Sequence, residues 1–280
     1  MTNELKNKLR ELADKYEVTS FTESDPSQFL RWYEPETGRG TVADVEAASF
    51  IAAMLAFGNR KQFIPKIQSV LETADRSLGS ISEWLKAGAF KKDFPKGAAK
   101  FYRFYSFDDM QIFFGEFAEI LKHSASLGDF FETQYKEGEV SPCAHTSLRA
   151  TPSNGGHPRN APVVSHLSDR IAAAFPKSAI VPKGRTSANK RVHMFLRWMV
   201  RQNSPVDLGL WKWADPSSLI IPLDTHVMQE AAKLGLIPEK AAASRKTAEL
   251  LTSALAEVFP GDPCRGDFAL FGLGVDKISD

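Results

Sequence analysis

Cysteine is nearly missing from this 280-residue chain: there are two, Cys143 and Cys264, and no C-x-x-C pair. That excludes a disulfide-dense scaffold, a four-thiolate zinc site and a four-cysteine iron–sulfur cluster. Histidine is also scarce. Of six, His145, His157 and His166 fall in one stretch, but at a spacing no standard zinc pattern requires, so neither a metal nor a cofactor is expected. No apolar run reaches the roughly 20 residues that cross a bilayer, and the opening MTNELKNKLRELADKY has no apolar leader core. The expectation is a cytoplasmic chain. Segments that alternate with period two for any length are lacking as well, which leaves an all-α fold as the expected class.

What is present is an ordinary globular composition, 43% hydrophobic and 25% charged, enough for a full core in one large or two modest domains. Leu5, Leu9, Leu12 and Tyr16 make a stripe on a first helix, which a polar turn over residues 34–40 separates from the body. The nearly unbroken apolar stretch from Asp44 to Phe57 is too long for a strand and predicts a buried helix. A further helix follows over 62–74. Helices are also predicted over 81–85, 98–105, 107–123, 127–136 and 248–259. The aromatic residues Phe101, Tyr102, Phe104, Tyr105, Phe107, Phe113, Phe114 and Phe117 read either as core or as a surface for stacking bases. Residues 138–166, rich in Pro, Ser, Asn and Gly, form a long loop carrying Arg149, His157 and Arg159.

Net charge is only +1, but it is unevenly placed. From Pro142 to Arg201 there are ten Lys or Arg and one acid, Asp169. Such a map either holds a polyanion, since phosphate contacts supply most non-specific DNA affinity, or is a solvated basic surface.

The most informative stretch runs from Pro182 to Leu236. Thr186 or Ser187 is placed to N-cap a helix reaching about Gln202, with Val192, Phe195, Leu196, Met199 and Val200 on its apolar stripe. Lys190, His193, Arg197 and Arg201 recur on another face, which therefore reads as basic and without an acidic partner. The apolar run 218–221 ends at Pro222, and Asp224 stands where an N-cap belongs before Val227, Ala231 and Leu234, with Gly235 as the stop. Taken singly, Lys190 is an exposed lysine and Asp224 a cap.

Together these residues resemble the helix-hairpin-helix DNA glycosylases of the HhH-GPD superfamily, in which a hairpin opens a helix bearing a catalytic lysine and a catalytic aspartate caps the next helix. Lys190 falls at the lysine position and Asp224 at the aspartate position. Their separation is longer than in endonuclease III and closer to the archaeal oxidised-guanine glycosylases, and the layout also fits a bacterial branch of the superfamily, which would imply the fold but not a substrate. The added length lies in the connector 203–217, with Trp211 and Trp213. The hairpin, Lys183-Gly184-Arg185-Thr186-Ser187, has one glycine where the family usually has two.

The resemblance implies a two-lobed all-α fold, with residues 42–220 as a central lobe, residues 1–41 plus 221–280 as a terminal lobe, and a DNA groove between them. It implies catalysis by Lys190 and Asp224 and a base pocket drawn from Asn59, Asp267, Phe271, Trp211 and Trp213. DNA contacts would come from Arg60, Lys61, Lys183, Gly184, Arg185, Arg191 and His226. Asn59 also reads as an ordinary residue at a helix end beside Gly58. Asp267 and Phe271, at i and i+4, share one helix face and match the pair that contacts the flipped base in the archaeal enzymes; Asp267 is equally a first-turn acid favourable to the helix dipole.

The chemistry suits the residue types. A carboxylate stabilises positive charge as a glycosidic bond breaks, and an amine attacks the sugar; at its ordinary pKa a lysine is neutral in roughly one molecule in 2,500 at pH 7, so its proton must be removed. The activity implied is a monomeric glycosylase on double-stranded DNA that leaves an abasic site, with or without Schiff-base lyase action. Its substrate would be an oxidised purine in repair, or a bulky modified pyrimidine such as those of phage DNA in defence. The competing reading is a non-catalytic DNA-binding protein of the same fold.

Overall fold

The computed structural model describes residues 1–139 and 166–276. Most of the loop assigned from sequence to 138–166, with Cys143, His145, Arg149, His157 and Arg159, lies outside the described residues. The rest is mainly helical, as the patterning predicts.

Helix α1 (Asn3–Tyr16) is capped by Thr2 and buries Leu9 and Ala13. Two 3-10 turns, Thr19–Ser24 and Pro26–Arg31, lead into α2 (Val42–Leu55). A reciprocal cap between Thr41 and Asp44 starts α2, and every residue from Ala43 to Leu55 is buried, so this helix has no solvent face and is the centre of the core. Around it pack α3 (Arg60–Leu78), α4 (Ile81–Lys86), α7 (Leu127–Glu139), α9 (Lys190–Val200) and the Pro26–Arg31 turn. Two carboxylates of α2 lie inside, Asp44 in the cap and Glu46, which accepts hydrogen bonds from Gly128 N (2.7 Å) and Trp211 Nε1 (2.9 Å), yet burial still pushes the Glu46 carboxyl above the usual range. The short α5 (Phe90–Asp93), α6 (Phe107–His123) and α8 (Leu167–Ala174) complete the middle of the chain. The C-terminal part supplies α10 (Thr225–Lys233), α11 (Arg245–Ala256) and α12 (Gly266–Asp276). Chain ends meet here: α12 packs on both α1 and α10, and Gly272 allows the closest approach, because a Cβ there would overlap the Tyr16 ring.

Three sequence expectations are corrected. Residues 98–105 do not form a helix. Lys100–Tyr102 (β1) and Tyr105–Ser106 (β2) pair as an antiparallel hairpin whose tip residue Arg103 has a left-handed φ of 50°. Aromatic residues favour strands, and in Phe101, Tyr102 and Tyr105 all the apolar surface is buried by the hairpin geometry. The surrounding aromatic cluster is core, apart from Phe107, which is half-buried, and Phe104, which is 59% exposed.

Helix α9 begins at Lys190, not near Ser187. Asn189 takes the left-handed conformation (φ 43°) and its side-chain amide donates to Gly184 O at 2.6 Å, closing the hairpin on itself. Thr186 and Ser187 instead pair with the start of α11, through Arg245 N donating to Thr186 O at 2.8 Å.

On the face of α9 that reads as basic and unpartnered, the two arginines are buried and paired with acids. Arg197 pairs with Asp207 (3.3 Å) and with Asp267; Arg201 pairs with Asp207, with Glu17 (2.8 Å) and with Asp262 (2.8 Å). His193, one turn before Arg197, is buried with neither ring nitrogen hydrogen-bonded, and burial drives its pKa down to about 3, so the ring is neutral. The face is an ionic lock that ties α9 to the end of α1, to the connector and to the turn before α12. Arg201→Met should therefore destabilise the chain by about 3–5 kcal/mol in denaturant unfolding, since it strands Asp262 and leaves the buried Asp207 with Arg197 alone. A loss below about 1 kcal/mol would show that the lock contributes little.

Candidate functional site

One cleft of about 610 Å³ gathers residues from four parts of the chain. Its walls come from the turn before α2 (Phe21, Asp25), the α2–α3 junction (Phe57, Gly58, Arg60, Phe63), the first two turns of α9 (Lys190, Arg191, Met194, Arg197) and the starts of α10 and α12 (Asp224, His226, Asp267, Phe271).

Lys190 and Asp224 meet in this cleft. Lys190 is the first residue of α9, and the left-handed Asn189 before it turns the chain so that the side chain leaves the hairpin toward α10. Asp224 is the N-cap of α10. Its Oδ1 accepts from Val227 N at 2.8 Å and its Oδ2 accepts from Lys190 Nζ at 2.9 Å, so each carboxylate oxygen has a separate task. Burial raises the Asp224 carboxyl, but the Lys190 ammonium, the Val227 amide and the nearby His226 outweigh it and hold the group below the usual carboxylate range. Asp224 is therefore an anion at neutral pH, and 41% of the Lys190 side chain remains open to the cleft.

Asp267 lies deeper, in the first turn of α12, and pairs with Arg197. Burial dominates there and lifts its pKa to about 6 despite the arginine. Phe271, one turn on, packs edge-to-face on Phe21 (5.1 Å), and the Arg60 guanidinium lies 5.9 Å from its ring centre. Arg60 also approaches Asp25 at 3.9 Å. The floor thus combines an aromatic wall with a buried carboxylate paired to Arg197.

Of the residues singled out from sequence, Lys190, Arg191, Asp224, His226, Asp267, Phe271 and Arg60 line the cleft. Arg191 does so while bound elsewhere: it donates to Met54 O and to Tyr105 Oη (3.2 Å) and lies over Phe57, which anchors α9 to the end of α2. The others are placed differently. Asn59 caps α3 by accepting from Lys61 N (2.9 Å), and its neighbours Gly58 and Arg60 take the cleft positions. Trp211 is 1% exposed, its indole bonded to Glu46, and Trp213 stacks on it at 5.3 Å; both belong to the core packing rather than the cleft. Lys183 donates to Pro176 O (2.8 Å) and Ser178 O (2.6 Å), which makes it a strut of the hairpin. Gly184 O receives the Asn189 amide, Arg185 is exposed beside Asp169 and Arg170, and Lys61 lies on the outer rim near Arg103.

Sequence reading missed Phe21, Asp25, Phe57, Phe63, Met194 and Arg197. Met194 and Arg197 follow Lys190 at i+4 and i+7 and were legible as its helix neighbours. Phe57 precedes the Gly58-Asn59 break, which marks the helix end in the sequence. Phe21 and Asp25 carry no local signal. Among the described residues no group of three or more His, Cys, Asp or Glu side chains is placed to hold a metal, and no described helix is long and apolar enough to cross a membrane.

A family model described as a protein of unknown function, DUF2400, matches residues 25–276, and the chain belongs to that family. The match takes in all the cleft-lining residues except Phe21. No curated protein and no solved structure matches the chain.

Proposed function

We propose that this protein is a DNA glycosylase of helix-hairpin-helix type, which extrudes a damaged or modified base into the cleft and breaks its glycosidic bond with Lys190 and Asp224. The observation that carries the reading is the 2.9 Å approach of Lys190 Nζ to Asp224 Oδ2 at an open cleft, from positions opening two different helices. A cleft of about 610 Å³ lies within the range of pockets that enclose a small organic group, and Phe21, Phe57, Phe63 and Phe271 supply surface against which a flipped base packs. As the bond breaks, the electron pair goes to the departing base. The Asp224 carboxylate faces the positive charge that develops on the sugar. Lys190 Nζ then forms the new bond to the sugar carbon, its proton passing to the carboxylate beside it.

The proposed lobes are 42–220 and 1–41 with 221–280. Packing of α12 on α1 and α10 supports the terminal lobe, and Lys190 and Asp224 come from opposite sides of that division. The Pro26–Arg31 turn, which packs on α2, would carry the terminal segment across onto the central lobe. Oxidised purines and bulky modified pyrimidines are the substrate classes to try first.

The same ion pair also suits a non-catalytic reader of DNA, in which it merely clips α9 to α10. A panel of duplexes carrying single modified bases, with released bases identified by mass spectrometry, separates the two. Release of one base class supports the glycosylase. Tight binding with no release from any duplex would leave the reader.

A further inference from the structure

Phe104 is the most exposed large apolar side chain among the described residues, at 59%, and it occupies the tip of the β1–β2 hairpin. An isolated exposed aromatic needs no explanation, but this one is held in place. Its carbonyl accepts from Lys100 Nζ at 2.9 Å, and its ring lies 4.5 Å from Tyr105 and 5.3 Å from Phe57. The hairpin is in turn fastened to the cleft. Tyr102 Oη donates to Phe57 O, the Arg103 guanidinium lies 5.7 Å from the Phe57 ring, and a Cβ at Gly58 would collide with that guanidinium. Phe57 and Gly58 are themselves wall of the cleft that holds Lys190 and Asp224, so the tip packs against the outside of that wall. The shallow hollow beside it carries Lys61, Lys66 and Arg103 and no acid.

A rigidly mounted aromatic ring flanked by cations, at the edge of a deep cleft, matches what a nucleic-acid duplex needs when one nucleotide has left the stack: a surface to cover the neighbouring base, with charge for the adjacent phosphates. Arg103 keeps a left-handed backbone although it is not a glycine, which is the conformation that turns Phe104 out of the hairpin. We propose that Phe104 stacks on the DNA bases next to the extruded nucleotide, with Lys61, Lys66 and Arg103 on the phosphates beside it. The inference rests on the DNA reading above but not on which base is removed.

It is tested with a duplex holding a tetrahydrofuran abasic analogue next to 2-aminopurine, and with an undamaged duplex as control. The full chain should bind the abasic duplex more tightly and change the 2-aminopurine fluorescence. Phe104→Ala should weaken binding to the abasic duplex by roughly 5- to 140-fold, the value of one base–aromatic stack, and remove the fluorescence change, with the salt dependence on undamaged DNA unaltered. Phe104→Trp should restore both. Since Phe104 is exposed, both variants should melt as the parent does. Wild-type-like binding and fluorescence in Phe104→Ala would overturn the stacking role, as would duplex binding without any preference for the abasic site. A parent chain that binds no duplex would overturn the DNA reading itself along with it.

Discussion

Asp224→Asn is expected to reduce base release by at least about a hundredfold while the protein stays folded and still binds DNA. The substitution is informative because the two oxygens of Asp224 act separately. The asparagine oxygen can still accept from Val227 N and cap α10, and asparagine caps about as well as aspartate. The amide that replaces Oδ2 is a donor facing the Lys190 ammonium. The pair so lost is partly open to solvent on the lysine side, where an ion pair contributes only about 0–1 kcal/mol, so the unfolding free energy should fall by no more than that. Stability against pH offers an independent check. A carboxyl held below its unfolded value stabilises the fold above about pH 3.9 and loses that contribution as the pH falls through the folded value. The asparagine variant should lack that portion of the acid-side decline. Unimpaired base release in Asp224→Asn would reduce the residue to a helix cap.

Lys190→Ala should abolish a covalent adduct that the parent chain forms with an abasic duplex in borohydride. If Nζ bonds to the sugar carbon, the ring opens to an imine, and hydride reduction fixes protein to DNA. Lys212→Ala removes an exposed lysine away from the cleft and should trap as the parent does. Lys183 would be a poor control, because its ammonium holds two carbonyls of the hairpin. A parent chain that releases a base but forms no adduct would assign the attack to water, with Asp224 as the catalyst and Lys190 as its charge partner.

Local patterns found much of this molecule and missed the rest for identifiable reasons. Helix α2 was legible because an unbroken apolar run of that length has no other globular solution, and α6 because its capping serine and buried phenylalanines sit at helical spacing. The β1–β2 hairpin was not legible. Phe101, Tyr102, Phe104 and Tyr105 suit either period over so short a span, and the choice depends on Tyr102 reaching Phe57, far back in the chain. The start of α9 was misplaced because Ser and Thr ahead of an apolar stripe signal a cap, whereas Asn189 ends the hairpin through a bond to Gly184 that no local rule encodes.

The sequence by itself determined the helical class, the positions of most helices, and Asp224 as the residue that caps α10. Those are set by spacing and capping, interactions that span a few residues. Only the tertiary structure decided what the charges do. Arg197 and Arg201 look like a surface for phosphates because their partners Glu17, Asp207, Asp262 and Asp267 are scattered from the first helix to the last, and folding buries them as pairs, since a lone buried charge would be too costly to desolvate. The same long-range packing brings Lys190 to Asp224, and Phe57 to the tip that carries Phe104: each contact joins segments whose separation along the chain gives no hint of their distance in space.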